Sequence, residues 1–299
     1  VSIEQVFNMT VDTERKMAAG LHRWFVVKFD EGSNVEAVAR KFASLDVVKR
    51  VQFNSQMEKP EVQAFPVQPI ASTRATDMPF NDEMLPLQWH YDNRGDLDLN
   101  GLNEPVADAD INLFEAWKYT TGNPQVVVAV VDEGVYYDHP DLAANMWVNE
   151  DEIPNNGIDD DQNGYVDDIH GYNFVKDSGN VTADAHGTHV AGIIAAESDN
   201  GIGVSGICQD STLICVDWTP SDGQLWIPDL AVLVGFVEVV KAGAKVINFS
   251  VGISSSISEK SEKFPSIVNN FDAMLYSYAM GSLLSRGYDF LVVQSAGNG

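Results

Sequence analysis

Residues 126–134 read VVVAVVDEG, an unbroken apolar run that stops at two carboxylates and a glycine. A strand with one wet face alternates apolar and polar residues. A strand without alternation is covered on both faces, which is the pattern of a parallel sheet lying between helical layers. Three further runs read the same way: TLICV (212–216), KVINFSV (245–251) and FLVVQSA (290–296). Helical spacing fills the gaps at 111–119, 187–196, 229–242 and 271–286, the third opening at Asp229 and closing at Gly243. Strands alternating with helices predict an α/β fold with a mainly parallel sheet.

Upstream the pattern differs. WFVVKF (24–29) and VVKRVQF (47–53) read as strands, and between them Val35, Val38, Phe42 and Leu45 recur at helical spacing. Ser33 and Glu36 are spaced as a capping box for that helix. These signals predict a small α+β unit of strand, helix and strand. Residues 55–80 carry Pro60, Pro66, Pro69 and Pro79 and read as a linker. The division expected is a small domain with its linker over 1–75 and a large domain over 81–299.

Composition narrows the function. With 18 Lys and Arg against 44 Asp and Glu, the formal net charge is −26. A nucleic acid partner is therefore excluded, because neutralising a phosphate backbone needs clustered cations. Eight of the acids fall between Glu150 and Asp168, a concentration that suits a cation. No apolar run is long enough to span a bilayer. The opening VSIEQVFNMT lacks a basic-then-apolar signal pattern, but the chain starts at Val, so export stays open. Cys208 and Cys215 allow one disulfide and read more simply as two buried thiols.

Four short elements follow the apolar strands or open the helix between them. They are Asp132-Glu133-Gly134 after 126–131, HGTHVAG at 186–192, INFSVG at 247–252 and SAGNG at 295–299. Carboxylates at the C-terminal ends of parallel strands lie where open α/β folds build their sites. In this order and context the four elements resemble the subtilisin-like serine protease family, over about Asn81 to Gly299. The resemblance implies a three-layer α/β/α fold and an endopeptidase of peptides and proteins. It implies that Asp132 and His186 are two members of a charge-relay triad. It further implies that Ser250, Val251 and Gly252 line the substrate cleft and that Asn298 donates to the oxyanion.

The chemistry requires these residue types. Attack on an amide needs a hydroxyl that loses its proton, and an imidazole takes that proton near neutral pH. A buried carboxylate on the other ring nitrogen fixes the tautomer and stabilises the imidazolium. The edge of strand 245–251 is expected to pair with extended substrate. Glu133 stands where the family usually has Ser or Thr, and its charge is expected to raise the pKa of Asp132 or His186. His186 and His189 also form an HxxH pair, a weaker metal motif because no third ligand lies near it in sequence.

GIDDDQNGYVDD (157–168) spaces oxygen-bearing side chains at Asp159, Asp161 and Asn163, turns at Gly164 and ends in Asp167 and Asp168. This predicts a structural Ca2+ loop, although His170 stands where an EF-hand has its final Glu. DNGIGV (199–204) resembles the family's calcium loop just after the His186 helix, with Asn200 and main-chain oxygens as ligands and Asp141, together with Asp82 or Gln88, completing it.

In position and size, residues 1–75 resemble the family's inhibitory propeptide, whose C-terminal tail would lie in the cleft along 60–80. The propeptide is then a partner of the chain itself. The family's Gly-Thr-Ser-Met-Ala-like nucleophile motif has no counterpart in the 299 residues. The expectation is an inactive fragment whose serine belongs to a further segment or a second chain, secreted or at the cell surface. The alternative is a pseudoprotease or a calcium-dependent peptide-binding module.

Overall fold

The computed structural model describes residues 1–6, 17, 21–30, 32–49, 51, 56–57, 68–69, 77–98, 106–219, 227–250 and 279–295. Near the N-terminus β1 (Ser2–Gln5) pairs antiparallel with β2 (Phe25–Lys28). Helix α1 (Val35–Ala43) follows, and its N-cap is Asn34, whose Oδ1 accepts from Ala37 N at 2.9 Å. The expected Ser33 box is thus replaced by a cap one residue later, because Asn34 has the extended backbone a cap needs. The strand expected at 47–53 is corrected over its first three residues, while residues 50, 52 and 53 lie outside the described residues. Residues 47–49 are turn and irregular backbone, and Val47 is 92% exposed. β2 takes its partner from β1, a segment with no strand signal strong enough to read.

Short antiparallel pairs join distant parts of the chain. β3 (Gln56–Met57) lies against β9 (Ile227–Pro228), and β4 (Gln68–Pro69) lies against β5 (Leu97–Asp98). Between β5 and the main sheet, α2 (Leu113–Ala116) is shorter than the 111–119 expected. Its continuation turns away where Trp117 donates to Ile207 O at 2.9 Å.

The main sheet contains β6 (Val127–Asp132), β7 (Gly171–Asn173), β8 (Thr212–Asp217), β10 (Val246–Phe249) and β11 (Leu291–Gln294), in the order β11-β10-β6-β8-β7. Every pairing in it is parallel. The sequence reading of four of these strands holds to within a few residues, whereas β7 is too short and polar to have been found. Helix α3 (Ala185–Ala195) follows β7, and α4 (Asp229–Lys241) follows β9. Residues 279–284 are also helical, while 271–278 of the helix expected there lie outside the described residues.

Alternate residues of β6 go to opposite layers. Ala129 and Val131 pack with Leu233, Phe236 and Val240 of α4 and with Leu283. Val128 and Val130 pack with Ala191 and Ala195 of α3. The result is a three-layer α/β/α arrangement with a core on each face of the sheet. Full burial of side chains such as Val130 and Val131 stabilises by about 1.5–3 kcal/mol each, which explains the lack of polar alternation. Val6 and Trp24 from the N-terminal unit pack on the α4-side core. No helix among the described residues is long and apolar enough to cross a membrane.

The expected substrate edge at 245–251 is narrowed at this level. β10 has no free edge over Val246–Phe249, because β6 pairs on one side and β11 on the other. Ser295 N extends the second pairing to Phe249 O. Any substrate pairing must therefore start beyond Phe249.

Candidate active site

Asp132 is the last residue of β6 and is fully buried. The chain then turns at Gly134, whose φ of +95° suits glycine. His186, 54 residues after Asp132, lies in the first turn of α3. Asp184 caps it, accepting from His186 N at 2.8 Å, and Thr188 Oγ1 accepts from Tyr136 N at 2.9 Å. The helix start lies so close to the β6 turn that a Cβ on Gly187 would meet Gly134 O at 2.0 Å. The glycine after His186 therefore has a packing reason. Gly187→Ala is expected to cost about 1–3 kcal/mol, since backbone must move to admit the methyl. A thermal denaturation midpoint equal to that of the parent chain would refute this close packing.

This packing brings His186 Nδ1 to 2.7 Å from Asp132 Oδ1. Asp132 Oδ1 also accepts from Glu133 N at 2.8 Å, while Oδ2 is buried with no hydrogen-bond partner among the described residues. The Asp132 side chain is 1% exposed and that of His186 is 26% exposed, so the carboxylate is sheltered and the imidazole keeps an open side. Burial pushes the Asp132 carboxyl above its ordinary range, and the His186 hydrogen bond and the Glu133 N–H pull it back. The expected effect of the Glu133 charge on Asp132 is thus corrected. Burial is the main cause, and Glu133 acts on Asp132 through its backbone N–H.

Of the other sequence-predicted site residues, Ser250 is half-buried and its Oγ accepts from Asn248 Nδ2 at 2.9 Å. Val251, Gly252 and Asn298 lie outside the described residues. Cys208 and Cys215 are unpaired, and Cys215 is buried.

The acidic loop folds around its own carboxylates. Asp159 accepts from Asn163 N and Gly164 N at 3.0 and 2.9 Å, closing the turn at Gly164, where φ is +100°. Asp167 accepts from Asn156 N and Gly157 N. Asn149 and Asn163 each donate to both Asp161 and Asp168 at 2.9–3.0 Å. Oxygens of Glu152, Asp161 and Asp168 lie within 4.8 Å of one another. Burial pushes the Asp168 carboxyl up to about 6 against the pull of the two amides. Glu152 was not foreseen. It is buried and accepts from the N–H groups of Asp160, Asp161 and Asp167, so it acts from outside the oxygen-rich repeat.

At the second loop, Asp82 is buried and accepts from Asp199 N, Asn200 N and Ser205 Oγ. Asp141 accepts from Asn200 Nδ2 and Val204 N at 2.9 Å. Gln88 exchanges two hydrogen bonds with the backbone of Ser205. The four side chains named from the sequence therefore meet around residues 199–205.

A subtilase family model matches residues 123–299. The chain belongs to the subtilase family. Over 137 residues, or 45% of the chain, it is 42% identical to Subtilisin-like protease 1 of Plasmodium vivax, covering 19% of that protein. Over 146 residues it is 36% identical to halolysin of Haloferax mediterranei, covering 49% of this chain and 25% of that one. The chain thus spans about a fifth to a quarter of the length of these relatives. Among solved structures it is similar to fervidolysin of Fervidobacterium pennivorans, a keratinolytic enzyme related to subtilisin (TM-score 0.50, 18% identity, 99% of this chain and 39% of that one). It is also similar to the serine protease of Aeromonas sobria (TM-score 0.51, 25% identity, 77% and 34%). Membership of the subtilase family agrees with the parallel sheet and helical layers described above.

Proposed function

We propose that the chain supplies the acid–base half of a subtilisin-like serine endopeptidase. The observation that carries this reading is the 2.7 Å contact between His186 Nδ1 and the buried Asp132 carboxylate. Held in this way, the imidazole has one nitrogen committed to Asp132. The other is left to take a proton from a serine hydroxyl and return it to the leaving amine. Asp132 orients the ring and stabilises the imidazolium. Asn298 donates to the developing oxyanion, an interaction worth about 3 kcal/mol of transition-state stabilisation. Ser250, Val251 and Gly252 line the cleft. Residues 1–75 act as a propeptide that leaves on maturation.

Two cation sites complete the proposal. The donor set of the first is all oxygen, and its three convergent carboxylates with a raised Asp168 fit a hard divalent ion. Asp159, Asp161, Asn163, Asp167 and Asp168 would hold Ca2+ there, with Glu152 joining them. Asp141, Asn200 and Asp82 would hold a second. Bound calcium would supply charge that offsets repulsion among the carboxylates and so order the loops. Secretion is part of this reading, supported by similarity to the halolysin-like extracellular serine protease Nep of Natrialba magadii.

A fluorophosphonate probe tests the enzyme against a binding module. Covalent labelling of the mature protein, abolished by His186→Ala, is the expected result. Absence of labelling after complete removal of residues 1–75 would favour peptide binding without catalysis.

A further inference from the structure

Asp217 ends β8 with no exposed surface. Its register neighbours are Asp132 on β6 and Asn173 on β7, so three polar side chains form one row at the C-terminal ends of adjacent strands. In-register residues of parallel strands face the same side of a sheet, and a buried carboxylate in such a row needs donors. Asp217 Oδ2 accepts from Thr182 N at 2.6 Å and from Asn173 Nδ2 at 2.9 Å, and Oδ1 accepts from Thr219 N at 2.7 Å. Asn173 also donates to Thr219 O at 3.1 Å and accepts from Val175 N and Lys176 N.

These bonds lead to both members of the Asp132–His186 pair. Thr182 O accepts from Asp184 N at 3.1 Å, and Asp184 caps α3 at His186. On the other side Trp218 N donates to Asp132 O at 3.2 Å, and the Thr219 hydroxyl donates to Glu133 O. One carboxylate thus clasps the segment that carries the imidazole to the loop that rests on the backbone of the orienting acid.

We propose that Asp217 is a positioning residue of this site. Through Thr182 and Thr219 it holds the start of α3 against the end of β6, and so sets the His186–Asp132 hydrogen bond. The inference rests on the Asp132–His186 reading above. It predicts more than a structural role, because loosening the clasp should lengthen that one hydrogen bond while the sheet and its two cores persist. In Asp217→Asn a donor amide faces N–H groups where an acceptor stood, so at least one of the Thr182 and Thr219 contacts is lost.

The test is proton NMR of the whole chain with 15N-labelled histidine, reading the far-downfield proton of the short His186 Nδ1–H bond. The expected result is that this proton is present in the unsubstituted chain. In Asp217→Asn it should shift upfield or broaden away, while circular dichroism and a cooperative thermal transition show a folded protein. In an active preparation kcat should fall by about 100-fold with KM little changed. An unchanged downfield proton in folded Asp217→Asn overturns the proposal. Should that variant not fold, Thr219→Val cuts the same clasp more gently. It is expected to shift the proton partway, with Thr219→Ser restoring it, and an unchanged proton in Thr219→Val also overturns the proposal. Absence of the proton from the unsubstituted chain overturns the Asp132–His186 reading itself and this inference with it.

Discussion

If the proposed endopeptidase is assayed in an active preparation, His186→Ala is expected to lower kcat by about 10^6-fold, the scale set by subtilisin itself. Asp132→Asn is expected to cost about 10^4-fold with the fold intact. The two effects differ because the base is lost outright in the first case. In the second the imidazole remains, but the amide at position 132 can donate to Nδ1 and favour the wrong tautomer. The His186→Ala, Asp132→Asn double variant should be about as slow as His186→Ala alone, because the acid acts through the histidine. The measurement is kcat and kcat/KM on a chromogenic peptide amide. Multiplying losses in the double variant would mean that the 2.7 Å contact is not the working pair.

The second large effect concerns the acidic loop. With chelator in excess, the thermal midpoint is expected to fall as pH rises from about 4 through about 6. The sign follows from Asp168, whose carboxyl burial pushes up to about 6 in the folded chain. A folded-state value above the unfolded one means that the native state holds this proton more tightly. Its contribution to stability is therefore full below the unfolded pKa and is lost as pH passes the folded value. On the proposed reading, calcium would replace the proton as the neutralising charge. At neutral pH a concentration about 100 times its dissociation constant is worth about 2.7 kcal/mol, or about 5–10 °C for a domain of this size. Asp168→Asn should flatten the pH dependence and remove most of the calcium increment. Equal midpoints with calcium and with chelator at neutral pH would dispose of both proposed cation sites.

Much of this molecule was legible because burial leaves a local trace. β6, β8, β10 and β11 lie between helical layers and read as apolar runs, which fixes the α/β class without any coordinates. Asp132 at the end of its run and His186 beside a helix-opening glycine were legible for a related reason. Strand ends and close helix packing restrict residue type locally. The acidic repeat from Asp159 to Asp168 likewise shows its turn in the spacing of its side chains.

Only the tertiary structure decided what depends on partners far along the chain. β2 pairs with β1, and β10 loses its free edge over Val246–Phe249 to β11, because strand pairing is a choice between distant segments. β7 has three residues and no period to detect. Glu152 and Asp217 are carboxylates satisfied mainly by backbone N–H groups, and a backbone donor leaves no mark on composition. The 2.7 Å contact across 54 residues was of the same kind. The sequence named Asp132 and His186, and the packing of Gly187 on the Gly134 carbonyl brought them together, since a side chain at position 187 would collide with that backbone.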